Sequence, residues 1–492
     1  MHDVEDAIEQ ESAQQPRFRW RGEITAAGIA ATLVAAAFIV PRIHSEQWRA
    51  TLYAGSAPIF GNWLPHIGWG TGPAVIVACL VILRGPDLAA RLPWQRLLAT
   101  AWLTALAWAF ALAMVDGWRR GFTDHLTDGH EYLHEVPGIT DIPAALRGFS
   151  DRILDFQPDS WTTHVSGHPP AALLFFVALD RIGLGGGTWA ATACLLIGTS
   201  TVVAVAVTLR ALGAEERART ALPYLALAPA AIWIAVSADA MFAGVTAWAV
   251  ALLAIATRHR AARTPAGEIS AAESAVSHHT GRGRFERRTA ESVITAPQRG
   301  GRPLIAASAG VLFGLGIYLN YGLVLMAFPA VAVLIAGRTA RPLLPAAAGA
   351  AAVVAVFTAS GFCWFDGYHL VIERYYQGIA TERPYSYYWW GNLAATLCAV
   401  GLATAAGLAR ALAPRTLRAL DPAALLVVAA LCAIIAADIS GLSKAETERI
   451  WLPFDVWLLA ATALLPRSHA RVWLAIQAAG TLTLVHLVLT NW

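Results

Sequence analysis

Long apolar runs separated by short polar stretches make up most of this chain. Apolar runs occupy 24–41, 72–84, 97–115, 168–184, 188–209, 221–236, 240–257, 303–319, 321–337, 342–362, 391–409, 422–439, 452–466 and 472–490. Within them apolar residues do not alternate with polar ones, so the pattern argues against the strands of a membrane β-barrel. Backbone inside a bilayer must satisfy its own hydrogen bonds, which makes continuous apolar runs of this length helices. The expectation is an all-α polytopic transmembrane helical bundle with about 11–13 membrane segments. Composition agrees, with 57% hydrophobic and 14% charged residues, well under the ~25% charge of a soluble protein.

The arginines assign sides. Arg17, Arg19 and Arg21 place the N-terminal tail, 1–23, in the cytoplasm, and no small-residue cleavage site follows, so the first apolar run is read as a retained anchor. Arg84, Arg91 and Arg96 hold a second loop inside, and Trp48, Trp63 and Trp69 suit the outer interface. An N-terminal set of membrane helices then covers 24–257 with a long outer loop at 116–167. The segment 258–302 carries nine arginines from Arg258 to Arg302 among Ser, Thr, Gly and Pro, which reads as a disordered basic cytoplasmic loop. A C-terminal set covers 303–492 with outer loops at 363–389 and 440–451. Four apolar runs between 168 and 257 would put the arginine-rich loop outside. One of the first two runs is therefore expected to be short, re-entrant or interfacial. The five cysteines show no metal-type spacing and read as small core residues.

On this topology the unusual polar groups gather on the outer face. Asp116, Asp128 and Glu131 sit in the first long outer loop, which is long for a helix connection. A carboxylate near the apolar boundary suits a general base, although a hydrated loop is where acidic residues ordinarily occur. His164 and His168 have i, i+4 spacing. The prolines after His168 put a helix start there instead, and a helix start can receive a phosphate. Asp239, between two apolar runs, reads either as a functional carboxylate or as a cap on the following helix together with Ser237. Tyr388 and Trp389 belong to an aromatic stretch that reads as an interfacial belt or as a stacking surface for a sugar or prenyl chain. Ser443-Lys444-Ala445-Glu446-Thr447-Glu448-Arg449 puts two cations and two carboxylates between apolar helices, and Lys444 is the only lysine in the chain. Its compact ammonium differs from arginine's planar fork. The bland alternative is a solvated cap of weak ion pairs.

These landmarks resemble the GT-C superfamily of polyprenyl-phosphate-sugar glycosyltransferases: the acidic stretch Asp116 to Glu131, the His168-Pro169-Pro170 helix start, the Ser237-Ala238-Asp239 break and the loop from Lys444 to Arg449. Ser443 to Phe454 also resembles a group of poorly characterised membrane proteins from high-GC bacteria. The resemblance implies an enzyme of the cytoplasmic membrane that works on its outer face. It would take a sugar from a polyprenyl-phosphate donor and pass it to a cell-envelope glycan or lipid acceptor. An acidic residue would act as base, with Glu131 ahead of Asp128 and Asp116. Substrate binding falls to Lys444 and Arg449, with His164, His168, Asp239, Glu448, Tyr388 and Trp389 as further candidates. Membrane lipid is an implied partner and nucleic acid is not. No motif demands a cofactor or fixes a metal site, although outer carboxylates could hold a divalent ion. Two apolar segments precede the helix before the acidic loop, where the family usually has none. A transporter or lipid flippase is the competing class. It should carry ionisable groups deep in several helices and paired halves, whereas here the charges crowd one face.

Overall fold

The computed structural model describes residues 19–258 and 302–491. The basic loop expected at 258–302 and most of the tail 1–23 lie outside the described residues. What is described is an all-α bundle. Seven helices are long and apolar enough to cross a membrane: α1 (Arg19–Ile43), α2 (Thr71–Arg91), α3 (Trp94–Ala113), the continuous run Gly187–Ala211, Ala238–Thr257, Tyr385–Ala411 and Pro422–Ile439. Leu343–Ala359 and Trp364–Gln377 make an eighth if the pair, bent by 75°, counts as one span; Pro303–Leu319, Tyr321–Ala336 and Leu452–Leu464 are shorter apolar helices. The only sheet among the described residues is a two-stranded antiparallel pair, Gly61–Trp63 with Val488–Thr490.

Local chemistry sets the helix starts. Asp421 accepts from the N–H groups of Ala423 and Ala424, and Pro422 needs no partner at the first position. Ser237 accepts from Asp239 N and opens Ala238–Thr257. Where prolines break the ladder, a side chain repairs it. Pro223 and Pro229 interrupt the segment 215–233, and Gln477 Nε2 donates to the carbonyls of Tyr224 and Leu227, both at 2.9 Å.

Ion pairs sort the bundle into two ends. At one end Glu23 is buried against Arg410, His469 and Trp473; Arg217 pairs with Asp421; Arg471 pairs with Asp87; and Arg219 donates to the carbonyls of Ala89 and Leu92. The short loops that carry Arg217, Arg219, Arg410 and Arg471 are therefore side by side. The other end collects the loops 44–70, 116–167, 363–384 and 440–451.

The unbalanced region contains a short helix. Pro170–Arg181 has 12 residues, about 18 Å of helix against a hydrocarbon core of ~30 Å. It starts beside His164, and at its far end Arg181 donates to the carbonyls of Ile139 and Thr140. A Cβ on Gly187, just beyond, would meet Thr123 O at 1.8 Å. Both ends thus pack on the segment 116–167. The aromatic stretch 363–389 is also more ordered than a loop. Trp364–Gln377 is an amphipathic helix turned away from the preceding span, as expected of a segment with apolar residues on one face and Asp366, Glu373 and Arg374 among the others.

Close packing between spans uses small residues. Pro303–Leu319 and Leu343–Ala359 approach so closely that a Cβ on Gly310 would lie 1.8 Å from Ala346 O, and one on Gly349 would lie 2.1 Å from Ala307 O. In lipid such contact supplies van der Waals attraction that the hydrophobic effect does not. Gly310→Val is expected to force these helices apart and cost about 1–3 kcal/mol or more. Thermal unfolding of purified protein, followed by size-exclusion chromatography, should show a lower midpoint for this variant, while Gly22→Val, at a position open to space, should not.

Candidate active site

Four distant parts of the chain meet at the loop-rich end. Glu131 precedes the turn Tyr132–His134; His164 lies in the short helix Thr163–Ser166; Asp239 sits in the first turn of Ala238–Thr257; Arg449 lies in Thr447–Ile450, a turn opened by Glu446. Arg449 is at the centre. Its Nη1 donates to Asp239 Oδ2 at 2.6 Å, and its Nη2 reaches Glu446 Oε2 at 2.7 Å and His164 Nε2 at 3.1 Å. Beyond the imidazole, Glu131 Oε1 lies 3.1 Å from His164 Nδ1. Ser237 Oγ donates to Asp239 Oδ2 at 2.7 Å, leaving Asp239 Oδ1 buried without a hydrogen-bond partner. Glu131, His164, Asp239 and Arg449 are all buried, at 2–9% exposure, so their charges act in a medium where water screens little.

A second cationic layer adjoins the first. Arg383 donates to the Lys444 carbonyl at 2.7 Å and lies 3.4 Å from Glu446 Oε1. Lys444 Nζ donates to Ala380 O and sits over the Tyr376 ring, and Lys444 N donates to Tyr375 Oη. Asn392 fastens the loop through Ser443 O and Asp438. Ala445 and Glu446 have φ of 70° and 64°, a left-handed conformation costing about 1–3 kcal/mol for each side chain. The bonds around them hold the turn in place.

Three carboxylates, Glu131, Asp239 and Glu446, face two guanidiniums in this network. Burial raises the Glu446 pKa, but Arg449 and Arg383 outweigh it and hold the group below its usual range. Burial disfavours the His164 cation; Glu131 favours it more strongly, Arg449 opposes, and the balance raises the imidazole pKa. Geometry adds a condition. The neutral ring carries its proton on Nδ1 toward Glu131 and offers the Nε2 lone pair to Arg449, so a second proton fits only when Arg449 turns from Nε2. Burial pushes Lys444 down, with Arg383 adding to the effect.

The remaining sequence candidates fall elsewhere. His168 bonds through Nδ1 to His164 O and packs against Tyr132 and Phe242, and burial lowers its pKa to about 4, so it is a neutral prop behind the network. Asp128 is exposed and caps its own turn through His130 N. Asp116 lies in a separate cluster, 2.7 Å from His66 Nε2, and burial raises its pKa despite that partner. Glu448 turns away from Arg449 and accepts from Phe60 N at 2.8 Å. Tyr388 is buried with its hydroxyl donated to Leu52 O, and Trp389 is half exposed. Glu446 and Arg383 were not singled out from sequence. The i, i+3 spacing of Glu446 and Arg449 is the local signal for the first, whereas nothing local marks Arg383.

No protein-family model matches the chain, and no curated protein does. Among solved structures, that of ArnT from Cupriavidus metallidurans in the apo state is similar, with 16% identity over 75% of this chain and a TM-score of 0.40. The match spans 61% of that protein's chain. The site is therefore interpreted from its own geometry.

Two outcomes follow. Arg449→Met strands buried carboxylates and is expected to cost about 3–5 kcal/mol, read as a lowered unfolding midpoint. The raised His164 pKa contributes stability that is fully present below the unfolded value of 6.5 and is lost as pH rises through the folded value. Glu131→Gln should flatten that loss in unfolding midpoints recorded from pH 6 upward.

Proposed function

We propose that the protein is a membrane glycosyltransferase of the GT-C kind, moving a sugar from a polyprenyl-phosphate donor to an acceptor hydroxyl at the loop-rich end of the bundle. The observation that carries this reading is the buried Glu131–His164–Arg449–Asp239 network beside Lys444 and Arg383. It puts a carboxylate base and several cations within one water-poor region, which is what glycosyl transfer from a phosphate needs.

In this mechanism the acceptor oxygen attacks the anomeric carbon and its proton passes to Glu131, which His164 orients. The bond from the anomeric carbon to the phosphate oxygen breaks, and the phosphate leaves with the electron pair. Arg449, Arg383 and Lys444 stabilise the charge that grows on it. A phosphate oxygen competing for Arg449 Nη2 would free His164 Nε2, so donor binding would raise the proton affinity of the base region when it is needed. Asp239 and Glu446 hold Arg449 before donor arrives.

The topology belongs to the same reading. The end locked by Glu23, Asp87 and Asp421 carries the arginines of the short loops, so by the positive-inside bias it faces the cytoplasm. The N-terminus then lies inside, in the cytoplasmic membrane of the cell, and the network faces out toward cell-envelope acceptors.

The test uses purified protein with radiolabelled polyprenyl-phosphate sugars. Wild type should release or transfer the sugar. Glu131→Gln should lower kcat by about 10²–10⁴ with little change in donor affinity, and Lys444→Ala should chiefly raise the donor KM. A wild type that turns over no such lipid, but moves a solute across proteoliposomes, would make the transporter reading the correct one.

A further inference from the structure

A cleft of about 400 Å³ opens beside the network. Its volume falls in the ~300–1,000 Å³ range of small-molecule sites. One wall is the stretch 133–137, which follows directly on Glu131, and the opposite wall is the helix Pro170–Arg181 with Leu179 and Asp180. The glycine turn 183–187 closes a third side. Gly183 and Gly186 have φ of 82° and 88°, a conformation that favours glycine. A Cβ on Gly185 would lie 2.3 Å from Asp180 Oδ1, and one on Gly187 would lie 2.9 Å from the methyl of Thr127. The turn therefore lies flat against both walls, with the Asp180 carboxylate resting on Gly185. Tyr132 joins cleft and network. Its ring stacks on Phe176, which lines the cleft, with centroids 5.3 Å apart, and on His164 at 6.2 Å.

The lining restricts what the cleft can take. Thr127, His134 and Asp180 are its polar side chains, and all three residues are exposed. Neither the His134 imidazole nor the Asp180 carboxylate has a hydrogen-bond or ion-pair partner among the described residues, and the two stand on opposite walls. Between them the surface is apolar, with Leu133, Leu179 and Leu184. No arginine or lysine lines it, so a phosphate or carboxylate would meet Asp180 with no cation to offset the repulsion. An acyl chain would cover a carboxylate and an imidazole without giving either a partner. A neutral sugar ring suits both parts. Neighbouring hydroxyls at its edge can donate to the two oxygens of Asp180 while another pairs with His134, and its C–H faces cover the leucines.

We propose that this cleft binds a neutral sugar unit of the acceptor, next to the unit whose hydroxyl meets Glu131, and that the acceptor is therefore a glycan chain rather than a lipid. The word acceptor rests on the glycosyltransferase reading; the binding of a sugar does not. Cleft and base belong to one turn, since His134 N donates to Glu131 O at 3.3 Å. A unit bound between His134 and Asp180 would hold that turn against the helix Pro170–Arg181 and so fix the carboxylate beside His164. Chain length then matters to the enzyme: an acceptor with a second unit fills the cleft, and a single sugar leaves it empty.

The experiment uses the full-length protein in a detergent without a sugar head group. Methyl glycosides and disaccharide glycosides of neutral hexoses and pentoses are the probes, with a sugar phosphate for comparison, and binding is read by saturation-transfer difference NMR. Wild type should saturate at least one neutral disaccharide more strongly than its monosaccharide, and the sugar phosphate least. His134→Ala and Asp180→Ala, both at exposed positions, should weaken that binding about tenfold or more, and Leu184→Trp, which fills the cleft, should abolish it. Glu131→Gln should keep it. With radiolabelled polyprenyl-phosphate sugars, Asp180→Ala should raise the KM of the disaccharide acceptor toward that of the monosaccharide. A wild type that transfers sugar but saturates no glycoside, or saturates it equally in all three cleft variants, overturns the cleft proposal alone. Saturation lost in the cleft variants of a protein that transfers no sugar supports the carbohydrate site and overturns the transferase reading instead.

Discussion

Everything at the loop-rich end depends on one buried guanidinium. Arg449 is bound at once to Asp239, Glu446 and His164, and each of those belongs to a different stretch of chain or a different turn. Taking arginine out of water is costly, and only well-placed anions offset it. The chain therefore has to deliver Asp239 at the first turn of one helix, His164 in a turn just before another, and Glu446 in a left-handed conformation that a glycine would adopt more readily. The strain at Ala445 and Glu446 and the break before Asp239 are consequences of satisfying a single cation.

The other end is solved differently. Its arginines lie near the polar boundary and make mostly half-exposed pairs with Asp87, Glu216 and Asp421, while only Glu23 is fully buried. Exposed pairs contribute little each. Their effect is to hold loops side by side. Between the two ends, stability comes from helix contact through glycine and alanine, as at Gly310 and Gly349, and from side chains such as Gln477 that repair interrupted backbone.

The helical class and its apolar segments were legible because lipid allows few alternatives. The arginine bias also pointed to loops that share an end, such as those of Arg217, Arg219, Arg410 and Arg471, and the charge imbalance between 168 and 257 pointed to a region with a short helix. The run at 168–184 forms a short helix that closes at Arg181, which is anchored to Ile139 and Thr140. Apolar length alone could not say so. Among the polar candidates, Glu131, His164, Asp239 and Arg449 were legible as groups of one end of the bundle, but their meeting was not, since 318 positions of sequence separate the first from the last. The prolines after His168 do start a helix there, as expected, but His168 is a packed prop rather than a ligand-facing group. Arg383 could not be paired from pattern because its partner, Glu446, lies two membrane-length helices further along the chain.

The wide sequence spacing of the network also sets an order of events during synthesis. Each apolar helix can enter the membrane as it emerges, since its backbone needs no distant partner. Glu131, His164 and Asp239 are made long before Arg449 exists. Until the ribosome passes that codon the three groups have no guanidinium to gather around, and they must stay hydrated among the loops of that end. Domains otherwise mature from the N-terminus onward. Here the loop-rich end is the last part of the molecule to become dry, and the chain is nearly complete before its charges meet.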